Sequence, residues 1–130
     1  MILSLLPCFR GILFAVLALC AISPLARANP ILIAAFRVDQ AYYTNQANLL
    51  TSLGAYDAAA LATGKAEQYD IAADYLEAGN SVAQLRAIAA TWATQAYALS
   101  AYFMSYPTYS VLAYAWWGKG VASDEIVART

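Results

Sequence analysis

The chain has 130 residues, 62% hydrophobic and 12% charged, with a formal net charge of −1. That length suits one domain, and the charged share is about half the usual ~25%, so the chain has ample apolar surface to fold around. Lys and Arg stand singly at positions 10, 27, 37, 65, 86, 119 and 129, which excludes the basic stripe a nucleic-acid partner needs.

Residues 1–28 read as a secretory signal. Arg10 precedes an uncharged run from Gly11 to Ala26, whose apolar core is Ile12 to Ile22. Pro24 interrupts it, and Ala26-Arg27-Ala28 sets small residues at the −3 and −1 positions of a cut. Cleavage is expected after Ala28. The competing reading is an uncleaved anchor, but the apolar core is shorter than the roughly 20 residues a spanning helix needs. Both cysteines, Cys8 and Cys20, lie in this segment, so the domain expected at 29–130 has no disulfide framework. It carries five basic and eight acidic residues, a net charge of −3.

Apolar spacing across residues 29–130 is helical rather than alternating. A first helix is expected over Ile31–Leu53, with Pro30 in its first turn and Phe36, Tyr43, Ala47 and Leu50 on one face. A second is expected over Asp57–Ala78, with Asp57 as N-cap and Gly79 just past the end. Ala62, Ala66, Tyr69, Ala73 and Leu76 share one of its faces, and Gly64 offers room for a neighbouring helix. Ser81-Val82-Ala83-Gln84 fits a capping box that opens a third helix. There Leu85, Ile88, Trp92, Gln95, Leu99, Tyr102 and Tyr106 recur at alternating three- and four-residue steps, a narrow seam for another helix. Pro107 is expected to stop this helix at Tyr106. A short fourth helix is expected over Tyr109–Trp117, ending at Gly118, with one further turn from Ser123. The reading is all-α: a small antiparallel bundle or helical-hairpin array of three to four helices.

Residues 41–66 read AYYTNQANLLTSLGAYDAAALATGKA. Tyr43, Ala47, Leu50, the turn Gly54-Ala55-Tyr56-Asp57, and then Ala59 and Ala66 resemble one tetratricopeptide repeat. The resemblance implies a helix pair closely packed on small residues, and a protein-binding scaffold.

The chain has no His, and residues 29–130 have no Cys. That excludes Ser-His-Asp and Cys-His catalysis, His/Cys zinc sites and His or Cys haem ligation. No phosphate-binding glycine loop is present; Gly118-Lys119-Gly120 lacks the spacing. We therefore expect no enzyme activity and no cofactor. Glu67, Asp70, Asp74 and Glu77 fall on one helical face, either a solvated outer face, an acidic docking face for a basic partner, or oxygen ligands for a hard cation. The aromatic residues from Tyr97 to Trp117 serve either as core filling or as a contact surface. Trp92, Tyr102, Tyr106, Trp116 and Trp117 are the candidate partner-binding side chains. Residues 87–118 carry no charge, long enough for membrane association, although Thr, Ser, Gln, Tyr and Pro107 interrupt them. The sequence thus points to an exported, non-enzymatic helical module binding a protein partner or itself. The alternatives are a structural subunit of a membrane complex or extracellular filament, and a carrier of apolar ligands.

Overall fold

The computed structural model describes residues 29–130. The expected signal segment and its cleavage site at Ala28 lie outside the described residues. Four α-helices follow one another: α1 Pro30–Ser52, α2 Tyr56–Glu77, α3 Val82–Met104 and α4 Ser110–Arg129. A 3₁₀ turn, Pro107–Tyr109, joins the last two. The described residues form an all-α bundle of four helices.

Each boundary has a local cause. The Asn29 side chain accepts from the backbone N–H groups of Ile31 and Leu32, and Pro30 occupies the first turn. Gly54 and Gly79 end α1 and α2 at φ of 75° and 93°, the left-handed conformation that glycine adopts without strain. Ser81 and Gln84 form the reciprocal capping box at 3.1 and 2.8 Å. Asp57 is not the α2 cap; Ala55 holds that position without a side-chain bond. Asp57 instead lies in the first turn, where the helix dipole favours its charge, and accepts from Ser110 Oγ at 3.1 Å.

Two expectations about the second half are corrected. Helix α3 stops at Met104 rather than Tyr106, because Pro107 holds Tyr106 extended. Gly118 and Gly120 do not end a helix: α4 runs through both to Arg129. These glycines are contact points. A Cβ on Gly118 would collide with the backbone of Leu61, and a Cβ on Gly64 with the backbone of Ala115. A Cβ on Gly120 would lie 2.7 Å from the Tyr97 ring. Tertiary approach outweighs the roughly 1 kcal/mol that each helical glycine costs relative to Ala.

Helices α2 and α4 form the centre and run in the same direction, as the pairs Asp57–Ser110, Gly64–Ala115 and Lys65–Glu125 show. Helix α1 packs on the free side of α2, and α3 on the free side of α4. The core fills the end where α1 and α3 begin and α2 and α4 finish. Phe36, Tyr69, Leu76, Leu85 and Ile126 meet there, with Ala72, Ala73, Ala89 and Ala122 between them. The buried line of α3 is Leu85, Ala89, Ala93, Ala96 and Ser100. The expected seam lies to one side of that line, since small residues let α4 come close while Trp92 and Leu99 flank the contact. Gln95 is exposed and needs no buried partner. Among the described residues, no helix is long and apolar enough to cross a membrane, α3 and the uncharged 87–118 stretch included.

The α2–α4 contact yields a direct test. Gly64→Ala adds a better helix former, yet is expected to lower stability by about 1–3 kcal/mol, as overpacking does. Urea unfolding followed by circular dichroism measures it. An unchanged or stabilised variant would mean the two backbones are not held this close.

Candidate functional site

Helices α1, α2 and α4 share one polar network beside the core. Lys65 is 7% exposed. Its Nζ donates to Glu125 Oε1 at 2.7 Å and to Tyr43 Oη at 2.9 Å, and lies 4.4 Å from the Tyr43 ring centre. Tyr69 donates its hydroxyl to the other oxygen of Glu125. Burial disfavours the Lys65 charge, but the bonds to Glu125 and Tyr43 outweigh it and leave the ammonium above its ordinary value. Burial, then Glu125, pushes the Tyr69 phenol up as well. Lys65 therefore stays protonated and Tyr69 neutral at ordinary pH. Neither is poised as a base or nucleophile, and the network reads as a three-helix tie.

The acidic row is drawn together, but by partners within the chain. Arg37 of α1 bonds Asp70, Asp74 and Glu77 together, the last two at 2.6 and 2.9 Å. Glu67 pairs with Lys119 of α4 at 2.7 Å. The row thus ties α1 and α4 to α2 while its oxygens stay partly exposed. Among the described residues, no group of three or more acidic side chains is arranged to hold a metal ion.

The five candidate contact residues fall into three places. Tyr102 and Tyr106 are exposed at the end of α3, their rings 5.5 Å apart. Phe103 and Tyr109 extend this cluster at 5.3 to 6.2 Å between rings. Trp117 lies apart on α4, stacked 6.1 Å from Tyr114. Trp92 and Trp116 are half-buried and face a cavity of about 210 Å³ between α2, α3 and α4. Ile71 and Leu99 add apolar wall, Gln95 and Lys119 stand among its lining, and Gln68 contributes from α2. Gln68 is 4% exposed, and its Nε2 has no hydrogen-bond partner among the described residues. Burying such a donor costs about 1–3 kcal/mol.

The Tyr102–Tyr106 cluster belongs to a larger surface. Leu49 and Leu53 close α1, Tyr56 opens α2, and Val111 and Leu112 open α4 at the same end, all of them exposed. The last turns of α1 and α3 and the first turns of α2 and α4 build this end, and within residues 40–64 and 87–118 Asp57 is the only charge. The opposite end carries Arg37, Asp39, Asp70, Asp74, Glu77 and Arg129. The molecule is polarised along its length, ionic at one end and aromatic at the other. Sequence reading found the α3 aromatics but missed Leu49, Leu53 and Tyr56, whose shared place is set by the turn at Gly54. It also missed Gln68 and the Lys65 tie, because a lone Gln or Lys in an Ala-rich helix gives no periodic signal.

One titration checks the α3–α4 contact. The Tyr97 hydroxyl donates to Asp124 Oδ2 at 2.7 Å, and partial burial together with that carboxylate pushes the phenol up to about 12. In the unfolded chain it titrates near its usual ~10. Between these values the unfolded state has lost a proton the folded state keeps, so stability falls as pH rises from about 10 to about 12. Tyr97→Phe is expected to make that fall shallower in urea unfolding at stepped pH; an identical slope would remove the Tyr97–Asp124 bond from the account. Comparison with protein-family models, curated proteins and solved structures gives no match to this chain.

Proposed function

We propose that this chain is an exported, non-enzymatic helical module that works by binding another protein through its aromatic end. The observation that carries the reading is the ring cluster of Tyr102, Tyr106 and Tyr109, exposed at the same end of the bundle as Tyr56, Leu53 and Leu112. Exposed aromatic residues gathered in this way mark contact sites, and Tyr supplies large rigid area at small entropic cost. The absence of His throughout, and of Cys in residues 29–130, supports a role by contact rather than by chemistry. Export rests on the pattern of residues 1–28, and the resemblance of residues 41–66 to a tetratricopeptide repeat favours the same binding role.

A photo-crosslinking amino acid at position 109, used in cells expressing the chain, tests both parts. A discrete adduct is expected in the exported fraction, with Asn29 as its first residue by N-terminal sequencing. Tyr102→Ala with Tyr106→Ala should reduce the adduct about tenfold or more while helix content is unchanged. A cytosolic chain beginning at Met1 removes the export reading. Absence of any adduct, or an adduct indifferent to both Tyr changes, removes the aromatic end as the contact.

The Gln68 cavity favours a second reading, a carrier of small planar ligands. Trp92 and Trp116 supply apolar walls, and the unpartnered Gln68 amide would be met by a carbonyl oxygen. A quinone titrated into the protein should quench tryptophan fluorescence saturably, and Gln68→Leu should weaken that binding about tenfold. Linear, unsaturable quenching would exclude it.

A further inference from the structure

Helix α1 has a second face that none of the described residues covers. Its backbone packs on α2 alone, and Phe36 and Ala47 fill that contact. At 3.6 residues per turn, Ile31, Ala35, Val38, Tyr42, Asn45 and Leu49 lie together on roughly the opposite side. The large members are open to solvent: Ile31 80%, Val38 68%, Tyr42 55% and Leu49 53% exposed. A water-facing helix surface normally carries charge. This one carries none. The only ions of α1 are Arg37 and Asp39, and both are taken up by the other helices, Arg37 by the α2 carboxylates and Asp39 by Arg129.

The spacing along this face alternates between four and three residues from Ile31 to Leu49, the register of a helix seated against another helix. We infer that this face pairs with α1 of a second copy of the chain, antiparallel about a two-fold axis near Gln40. In that arrangement Ile31 meets Leu49, Val38 meets Tyr42, and Ala35 meets Asn45, so every seam residue has a seam partner. The same patch serves both copies, as a two-fold interface requires. An uncharged patch can meet itself without the like-charge repulsion that a charged patch would meet at a two-fold axis. The pair would cover on the order of 1,200 Å² across two copies, the size at which specific interfaces begin. Asn45 lies beside small Ala35, leaving its amide room to reach the seam edge. A buried polar residue of this kind fixes register at some cost in stability.

The inference deepens the proposed binding role but stands on α1, and shares only Leu49 with the aromatic end. Sedimentation equilibrium of the purified full chain tests it. The wild-type chain is expected as a dimer. Val38→Glu should raise its dissociation constant about a hundredfold or more, since the seam would bury a charge, with helix content unchanged. Val38→Glu combined with Tyr42→Lys should restore the dimer, because the antiparallel register sets 38 of one copy against 42 of the other. A wild-type chain that stays monomeric at its highest soluble concentration overturns the proposal. So does a wild-type monomer that binds phosphatidylcholine–phosphatidylglycerol vesicles through this face, or a dimer indifferent to Val38→Glu. A dimer lost in Val38→Glu and not regained in the double variant overturns the antiparallel register. Crosslinking at position 109 reads the aromatic end separately, so the two proposals fail independently.

Discussion

The approach of α2 to α4 at Gly64 and Gly118 governs the rest of the molecule. Each glycine faces the backbone of the opposing helix, with no room for a side chain. Two helices running in the same direction are thereby held nearly in backbone contact, close enough for Cα–H groups and carbonyls to meet across the crossing. Below this crossing the helices separate enough to admit Tyr69, Leu76 and Ile126. The core is therefore built at one end, and Ala spaces the other. That choice leaves the far end with little to bury, and the aromatic residues there remain at the surface.

The crossing also sets where charge can go. Lys65 follows Gly64 directly and is carried into the gap between α1 and α4, where Glu125 and Tyr43 receive it. Arg129 lies over the Phe36 ring at 4.9 Å and pairs with Asp39, so the end of α4 closes over the start of α1. Arg37 gathers three carboxylates of α2 into one cluster. Single exposed ion pairs contribute little, roughly 0–1 kcal/mol, but several carboxylates sharing one guanidinium form a network with better geometry. With so few charges in the chain, this use at one end leaves Asp57 alone at the aromatic end and no charge on the outer face of α1. The two charge-poor surfaces are consequences of the same allocation.

Much of the local architecture was legible in the sequence. The Ser81–Gln84 capping box, Pro30 at the opening of α1, Gly79 past the end of α2 and the Ala62-to-Leu76 face all follow from rules spanning a turn or two of helix. The failures came where a residue answered to something distant. Gly118 and Gly120 carry a stop signal locally, but α2 and the Tyr97 ring fill the space beside them, and the helix continues. The α3 seam was placed on its large residues, because bulk marks burial in most helices. In this fold Ala89, Ala96 and Ser100 take the contact, with Ser100 donating to the Ala113 carbonyl at 2.9 Å, and the large residues flank it.

Composition and short-range pattern determined that the chain is all-α, that residues 29–130 contain neither His nor Cys, and where the first three helices begin and end to within a few residues. These are properties of single residues and their near neighbours, so no folding was needed to read them. Tertiary structure alone decided which helices touch, that the acidic row is gathered by Arg37 and Lys119, and that the aromatic candidates divide among an end, a cavity and a separate face. The physical reason is that helix periodicity tells which residues share a face but not what that face meets. A missing side chain at two glycines, fifty-four residues apart in sequence, selected the partner.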